Sequence, residues 1–147
     1  MKDILSSHIF QALRRAKVSL FYLENGMIEE ASKEAQKSWR YFISSVLILN
    51  LYRKGEEVIR YYTVPKSKIF SISKSLEDKG YKGLIELSSI YFVLTNDVPK
   101  SEAKILIPIL IRGELEKIRE WFKDRWSESF ENELTIVLNE LKKEFVD

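Results

Sequence analysis

Taken at 100° per residue, Leu5, Ile9, Ala12, Leu13, Ala16, Leu20 and Leu23 fall within about a third of a helix circumference. This spacing predicts an amphipathic helix with a core-facing stripe, which Phe10 and Phe21 sit beside and widen. Glu24-Asn25-Gly26 ends it, because Asn and Gly tolerate the left-handed conformation that closes many helices. A second helix then carries Ile28, Ala31, Ala35, Trp39, Phe42, Ile43, Val46 and Leu49 on one face and runs to about Lys54. Its first Ala residues allow a close approach to the first helix, and the bulky residues further along fill a widening space. From Val46 to Tyr52 the pattern is apolar nearly all round, so this section is expected at the centre. Asn50, on the core face there, is expected to bond a neighbouring backbone group or water, or else to touch a polar ligand.

Beyond the hairpin the pattern is less even. Gly55 is a candidate stop, with Glu56 to Tyr62 as a frayed continuation, and Thr63-Val64-Pro65 is a firm break. A shorter helix is predicted over about Lys66 to Lys79 with Ile69, Ile72 and Leu76 inward, ended by Gly80. Leu84, Leu87, Tyr91 and Leu94 keep helical spacing to about Thr95, although Ile90-Tyr91-Phe92-Val93 has strand-like composition. Residues 104–112 are expected as a buried helix kinked or broken at Pro108, in preference to strands, since a mid-strand Pro removes a ladder donor. From Leu115 to Phe145 the pattern is helical again, as one helix over 114–146 or two joined near Ser127. Together these elements predict an all-α fold: one antiparallel bundle of about five to seven helices over residues 1–147, built on the N-terminal hairpin.

Composition narrows the function. At 147 residues, with no Pro-, Gly- or Ser-rich linker, the chain suits one domain that buries roughly two-thirds of its unfolded surface. The apolar runs Val46 to Leu51 and Ile105 to Ile111 fall far short of the ~20 residues that span a bilayer. Met1-Lys2-Asp3-Ile4 leads directly into an amphipathic pattern rather than a signal peptide, which places the expected location in the cytoplasm. Zero Cys excludes disulfides, thiol nucleophiles and Cys-based metal sites. Abundant Lys, Glu and Ile with little Met and His resembles heat-adapted proteins. The net charge of +2 divides unevenly: residues 1–82 hold 15 Lys/Arg against 9 Asp/Glu, and residues 83–147 hold 9 against 13.

Catalytic polar groups are scarce. His8 is the only imidazole and is expected as a half-exposed helix residue; no P-loop, dinucleotide-binding Gly pattern or Gly-x-Ser-x-Gly elbow occurs. Glu29-Glu30, Glu56-Glu57 and Glu131 with Glu133 read as solvated faces or helix-start charges. No cofactor and no metal site is expected.

The richest polar surface is the outward face of the hairpin. Arg14, Arg15, Val18 and Tyr22 lie there on the first helix, and Lys33, Lys37, Arg40, Tyr41 and Ser44 on the second. Cations interleaved with aromatics can hold a nucleic-acid backbone while a ring stacks on a base, so Arg14, Arg15, Lys33, Lys37, Arg40 and Tyr41 are candidate nucleic-acid contacts. Arg60-Tyr61-Tyr62, Lys66 and Lys68 would extend the surface. The competing reading pairs the same cations with Glu34, Glu30 and similar neighbours. Tyr41, Ile48 and Tyr52 form a second stripe, covered either by later helices or by another protomer, and are candidate dimer-interface residues.

Ala12-Leu13, Ala16, Leu20 and Leu23-Glu24-Asn25-Gly26, followed by Ala31-Ser32, Ala35, Ser38-Trp39 and Val46, resemble the leading helix pair of HEPN-type domains, closest to the archaeal PaREP-type branch. The resemblance covers residues 5–54. It implies a small bundle that dimerises and binds a partner, either a nucleotidyltransferase-like protein or RNA. Catalytic HEPN domains are ribonucleases with an Arg followed four to six residues later by His. No Arg precedes His8 and no later Arg has a His partner, so the nuclease chemistry does not carry over. A tetratricopeptide-like adaptor is the alternative fold, with Gly turns at Leu23 to Ala31, Lys79-Gly80-Tyr81 and Gly113-Glu114-Leu115, but the turns lack a fixed period and the second helix is too long for that repeat. The function expected is therefore a non-enzymatic interaction module, homodimeric, with RNA binding on the basic face as the alternative.

Overall fold

The computed structural model describes residues 3–55 and 63–145. Glu56-Glu57 and Arg60-Tyr61-Tyr62, named above, lie outside the described residues. Six α-helices account for the fold: α1 (Ile4–Glu24), α2 (Ile28–Arg53), α3 (Ile69–Asp78), α4 (Leu84–Thr95), α5 (Lys100–Trp121) and α6 (Glu128–Phe145). Short 3-10 turns at Lys66–Lys68 and Lys123–Arg125 lead into α3 and follow α5, and no strand occurs among the described residues.

α1 starts where the Asp3 carboxylate accepts the Leu5 N–H at 3.1 Å, filling one of the orphan donors of the first turn. It ends at Asn25, and Gly26 at φ 75° turns the chain back as the sequence predicts. The stripe Leu5, Ile9, Ala12, Leu13, Ala16 and Leu20 is buried against α2 on one side and α6 on the other. α2 is the central element, touching α1, α3, α4 and α5, and its buried Trp39, Phe42, Ile43 and Val46 join the core cluster to which all six helices contribute. Exposed Phe21, 60% accessible, does not widen the α1 stripe, whereas Phe10 is half-buried against it. Asn50 is half-buried rather than central.

The largest departure concerns residues 100–127. Pro108 and Gly113 both lie inside one continuous helix, so the chain is not broken at Pro108, and the break at 122–127 agrees with the alternative of two helices joined near Ser127. Pro108 forfeits one backbone hydrogen bond, which usually ends a helix. Here Ile107, Leu110 and Ile111 are buried around it, and their burial outweighs the lost bond. Gly113 is therefore not a turn, which removes the adaptor-repeat reading at that position. Its role is steric: a Cβ there would lie 2.4 Å from Leu87 Cδ2, so α4 and α5 meet where a side chain is missing. Gly113→Val is expected to lower stability by about 1–3 kcal/mol through overpacking, read as a shift in urea midpoint with unchanged slope.

Candidate interaction surfaces

The hairpin's outer face is organised around Glu34, which is buried although charged. Its Oε1 accepts from Arg15 Nη1 at 2.9 Å and its Oε2 from Lys37 Nζ at 3.1 Å. Arg15 and Glu34 lie on facing helices, so this pair also ties α1 to α2. Lys33 approaches Glu29 at 3.9 Å, both exposed, a contact worth little in water. Exposed Arg14 turns away from the seam, its guanidinium 5.9 Å from the Phe10 ring centroid. Arg40 is half-buried on the side of α2 that faces Tyr91 of α4. The six residues named as a nucleic-acid face thus separate: Arg15 and Lys37 meet at one carboxylate, Lys33 stands beside them, and Arg14 and Arg40 diverge. Tyr41 is half-buried with its ring edge-on to His8, centroids 5.4 Å apart.

Three expected positions are corrected by burial. His8 is 5% exposed rather than half-exposed. Its Nδ1 lies 3.0 Å from the Ile4 carbonyl, which can only accept, so Nδ1 carries the proton and the buried Nε2 has no protein partner. Burial lowers the imidazole's pKa, with the Ile4 carbonyl working the other way, and the ring is neutral at pH 7. Ser44 is buried, not outward: its Oγ donates to the Arg40 carbonyl and accepts the Val64 N–H, both at 2.7 Å. Ile48 is 1% exposed, so the chain itself covers this candidate dimer contact. Tyr52 is half-buried beneath the Arg125 guanidinium, 5.0 Å from its ring, while Arg125 pairs with Asp3. The stripe of Tyr41, Ile48 and Tyr52 is therefore occupied largely from within.

The interior holds a group that sequence reasoning missed. Glu114 of α5 is 1% exposed and meets Ser38 of α2, whose Oγ lies 3.0 and 2.9 Å from the two carboxyl oxygens and 2.7 Å from the Ala12 carbonyl. Ser38 has one hydroxyl proton and Ala12 O is its nearest acceptor, so the contact to Glu114 is satisfied when the carboxyl carries a proton and donates to Ser38 Oγ. Burial agrees, pushing the carboxyl up to about 8; a Ser38 hydroxyl donating to it would work the other way. The signal was present, since Glu114 stands at helical spacing within the apolar run Ile111, Leu115 and Ile118. A second interior network is fully ordered. The Trp39 indole N–H donates to Ser88 Oγ at 3.0 Å, Ser88 and Ser73 hydroxyls are 2.7 Å apart, and Ser73 Oγ donates to the Ile69 carbonyl at 2.7 Å. Because Ser73 spends its proton on Ile69, Ser88 donates to Ser73, and the relay joins α2, α4 and α3.

The remaining exposed surface of note is on α5. At 100° per residue Glu102, Ile105, Ile109, Arg112 and Glu116 fall within about 80° of one another. Ile105 is 63% exposed and Ile109 38%, against an expectation of full burial for this segment. Beside them an open groove of about 620 Å³ runs between α5 and α6, floored by Leu138, Leu141 and Phe145 and rimmed by Arg112 and Lys142. Arg112 rests over the Phe145 ring at 4.9 Å and pairs with Glu116 at 3.3 Å.

Among the described residues no three His, Asp or Glu side chains converge to hold a metal, and no helix is long and apolar enough to cross a membrane. None of the family models, curated proteins or solved structures compared with the chain matches it.

Proposed function

We propose that the chain is a non-catalytic helical interaction module that works as a homodimer. The observation that supports this reading most directly is the pair of isoleucines, Ile105 and Ile109, standing exposed on one face of α5 beside an apolar groove. Exposed apolar surface rimmed by charge is the common mark of a protein contact. His8 and Glu114, both buried, face α2, where they meet Tyr41 and Ser38, rather than a substrate-sized cavity, which favours binding over chemistry. On the HEPN-like reading the chain would stand with members that bind partners without cleaving RNA. Sedimentation at micromolar concentration is expected to give a dimer, and a monomer at every concentration up to about 50 μM would sink the homodimer.

A second reading has its own support: Arg14, Lys33 and Lys37 are exposed on the hairpin, and Glu34 neutralises only part of that charge. A single-stranded RNA held there would be bound through its phosphates and would be strongly salt-dependent. Arg14→Glu with Lys37→Glu is expected to abolish any gel shift seen at 50 mM salt. No shift by the unaltered protein at that salt would eliminate the RNA reading.

A further inference from the structure

We infer that α5 is the self-association element, pairing antiparallel with α5 of a second copy about a two-fold axis near Ile107. The inference rests on the homodimer proposed above and assigns its interface. Its basis is a pattern that reads the same in both directions. Glu102, Ile105, Ile109 and Arg112 share one face of α5 and are separated by three, four and three residues. When two antiparallel helices pair about a two-fold axis, a position one step before the axis meets the position one step after it. Here that rule sets Ile105 against the partner copy's Ile109 and, in the same register, Glu102 against its Arg112. Each contact occurs twice, as an isologous interface requires.

Shape and charge select this register over its neighbours. An axis at Ile109 would bring Glu102 against the second copy's Glu116, a like-charge contact, and would leave Ile105 facing Gly113. An axis at Glu114 would match Arg112 with Glu116 but set Ile109 against Arg119, leaving the isoleucines without apolar partners. Only the register at Ile107 satisfies both apolar and both charged positions. Within one chain, Arg112 spends its charge on Glu116, an exposed pair four residues apart that is worth a few tenths of a kcal/mol. Releasing it to Glu102, an exposed carboxylate that pairs with no cation among the described residues, costs little. The α5–α6 groove adjoins this face through Arg112 and Phe145, so flanking side chains of the second copy have apolar surface to cover beyond the isoleucines. The interface named at first on α2, with Ile48 at its middle, is already filled by the chain itself. α5 offers what that stripe does not.

Charge reversal and its rescue test the register. Glu102→Arg and Arg112→Glu, each at an exposed position, are expected to raise the dimer dissociation constant by roughly tenfold or more in sedimentation equilibrium, because each single change sets like charges together twice. The double variant restores the pairing with the signs exchanged, and its constant is expected within about threefold of the unaltered protein's. Thermal melts of all three variants identify any that fail to fold. Because the chain has no Cys, a mixture of Ile105→Cys and Ile109→Cys proteins is expected to form disulfide-linked heterodimers faster than either alone. A dimer that ignores both single reversals keeps the homodimer and overturns its placement on α5. A protein that stays monomeric at all concentrations overturns both, and leaves the α5 face to a different protein.

Discussion

Glu114→Gln should abolish most of the pH dependence of stability between pH 5 and 8 and leave the variant roughly 3–5 kcal/mol more stable than the unaltered protein at pH 9. Below the carboxyl's ordinary value of 4.5 the folded and unfolded chains both hold the Glu114 proton. As pH rises from there to about 8, the unfolded chain releases that proton while the folded chain keeps it, so stability falls by about 1.4 kcal/mol per pH unit. Above about 8 the folded chain releases it too, and the loss levels at about 5 kcal/mol. Stability from this group is thus fully present below 4.5 and gone above 8, opposite to the usual salt-bridged carboxylate. Glutamine reproduces the neutral acid: its amide N–H can donate to Ser38 Oγ while Ser38 keeps its bond to Ala12 O. Urea unfolding at pH 5, 7 and 9 measures the effect directly. A flat profile for the unaltered protein would show that Glu114 ionises at its ordinary value, and would refute the proton assignment made from Ser38.

The second large effect centres on Trp39, fully buried where α2 meets α4. Trp39→Ala is expected to cost about 3–5 kcal/mol through lost burial and the cavity left behind. The relay refines this figure. Ser88→Ala removes the acceptor of a buried indole N–H and a donor to Ser73, at about 1–3 kcal/mol. In a Trp39→Phe background the same serine change has no indole to strand, so it should cost less, with a coupling of roughly 0.5–3 kcal/mol. Equal costs in the two backgrounds would mean that the indole N–H finds another acceptor.

The parts of the fold legible in the sequence are those where local and global preferences agree. Leu5 to Leu23 is periodic over about five turns, and Asn25-Gly26 both stops α1 and reverses the chain. Residues 100–127 conflict instead. Pro108 and Gly113 are local breakers overruled by tertiary burial, whereas the break at 122–127 is legible only as one of two alternatives, because Trp121, Phe122 and Trp126 around it look like core. Of the candidate surface, Arg14, Lys33 and Lys37 are exposed, because long basic side chains on an outer helix face have nowhere else to go. Ser44 lies inward rather than outward because helical periodicity gives a residue's direction but not what lies there, and Val64, twenty positions beyond Ser44, lies against that face of α2; of the two covers open to Ile48, the chain itself supplies one. Glu114 could have been flagged by its position in an apolar stripe; what made it informative, the single proton of Ser38, is visible only in three dimensions.

The placement of α6 bears on how the chain reaches this state. α6 packs chiefly on α1 rather than on α5, its neighbour in sequence, and Lys17 meets Glu133 across 116 residues at 2.9 Å. The α1–α2 hairpin closes through a three-residue turn, Asn25-Gly26-Met27, and can form early, but the groove on α1 that receives α6 stays open until nearly the whole chain is available. A docking of such high contact order is expected to form late in folding, and until it does the α1 surface around Lys17 is at risk of being captured by another chain.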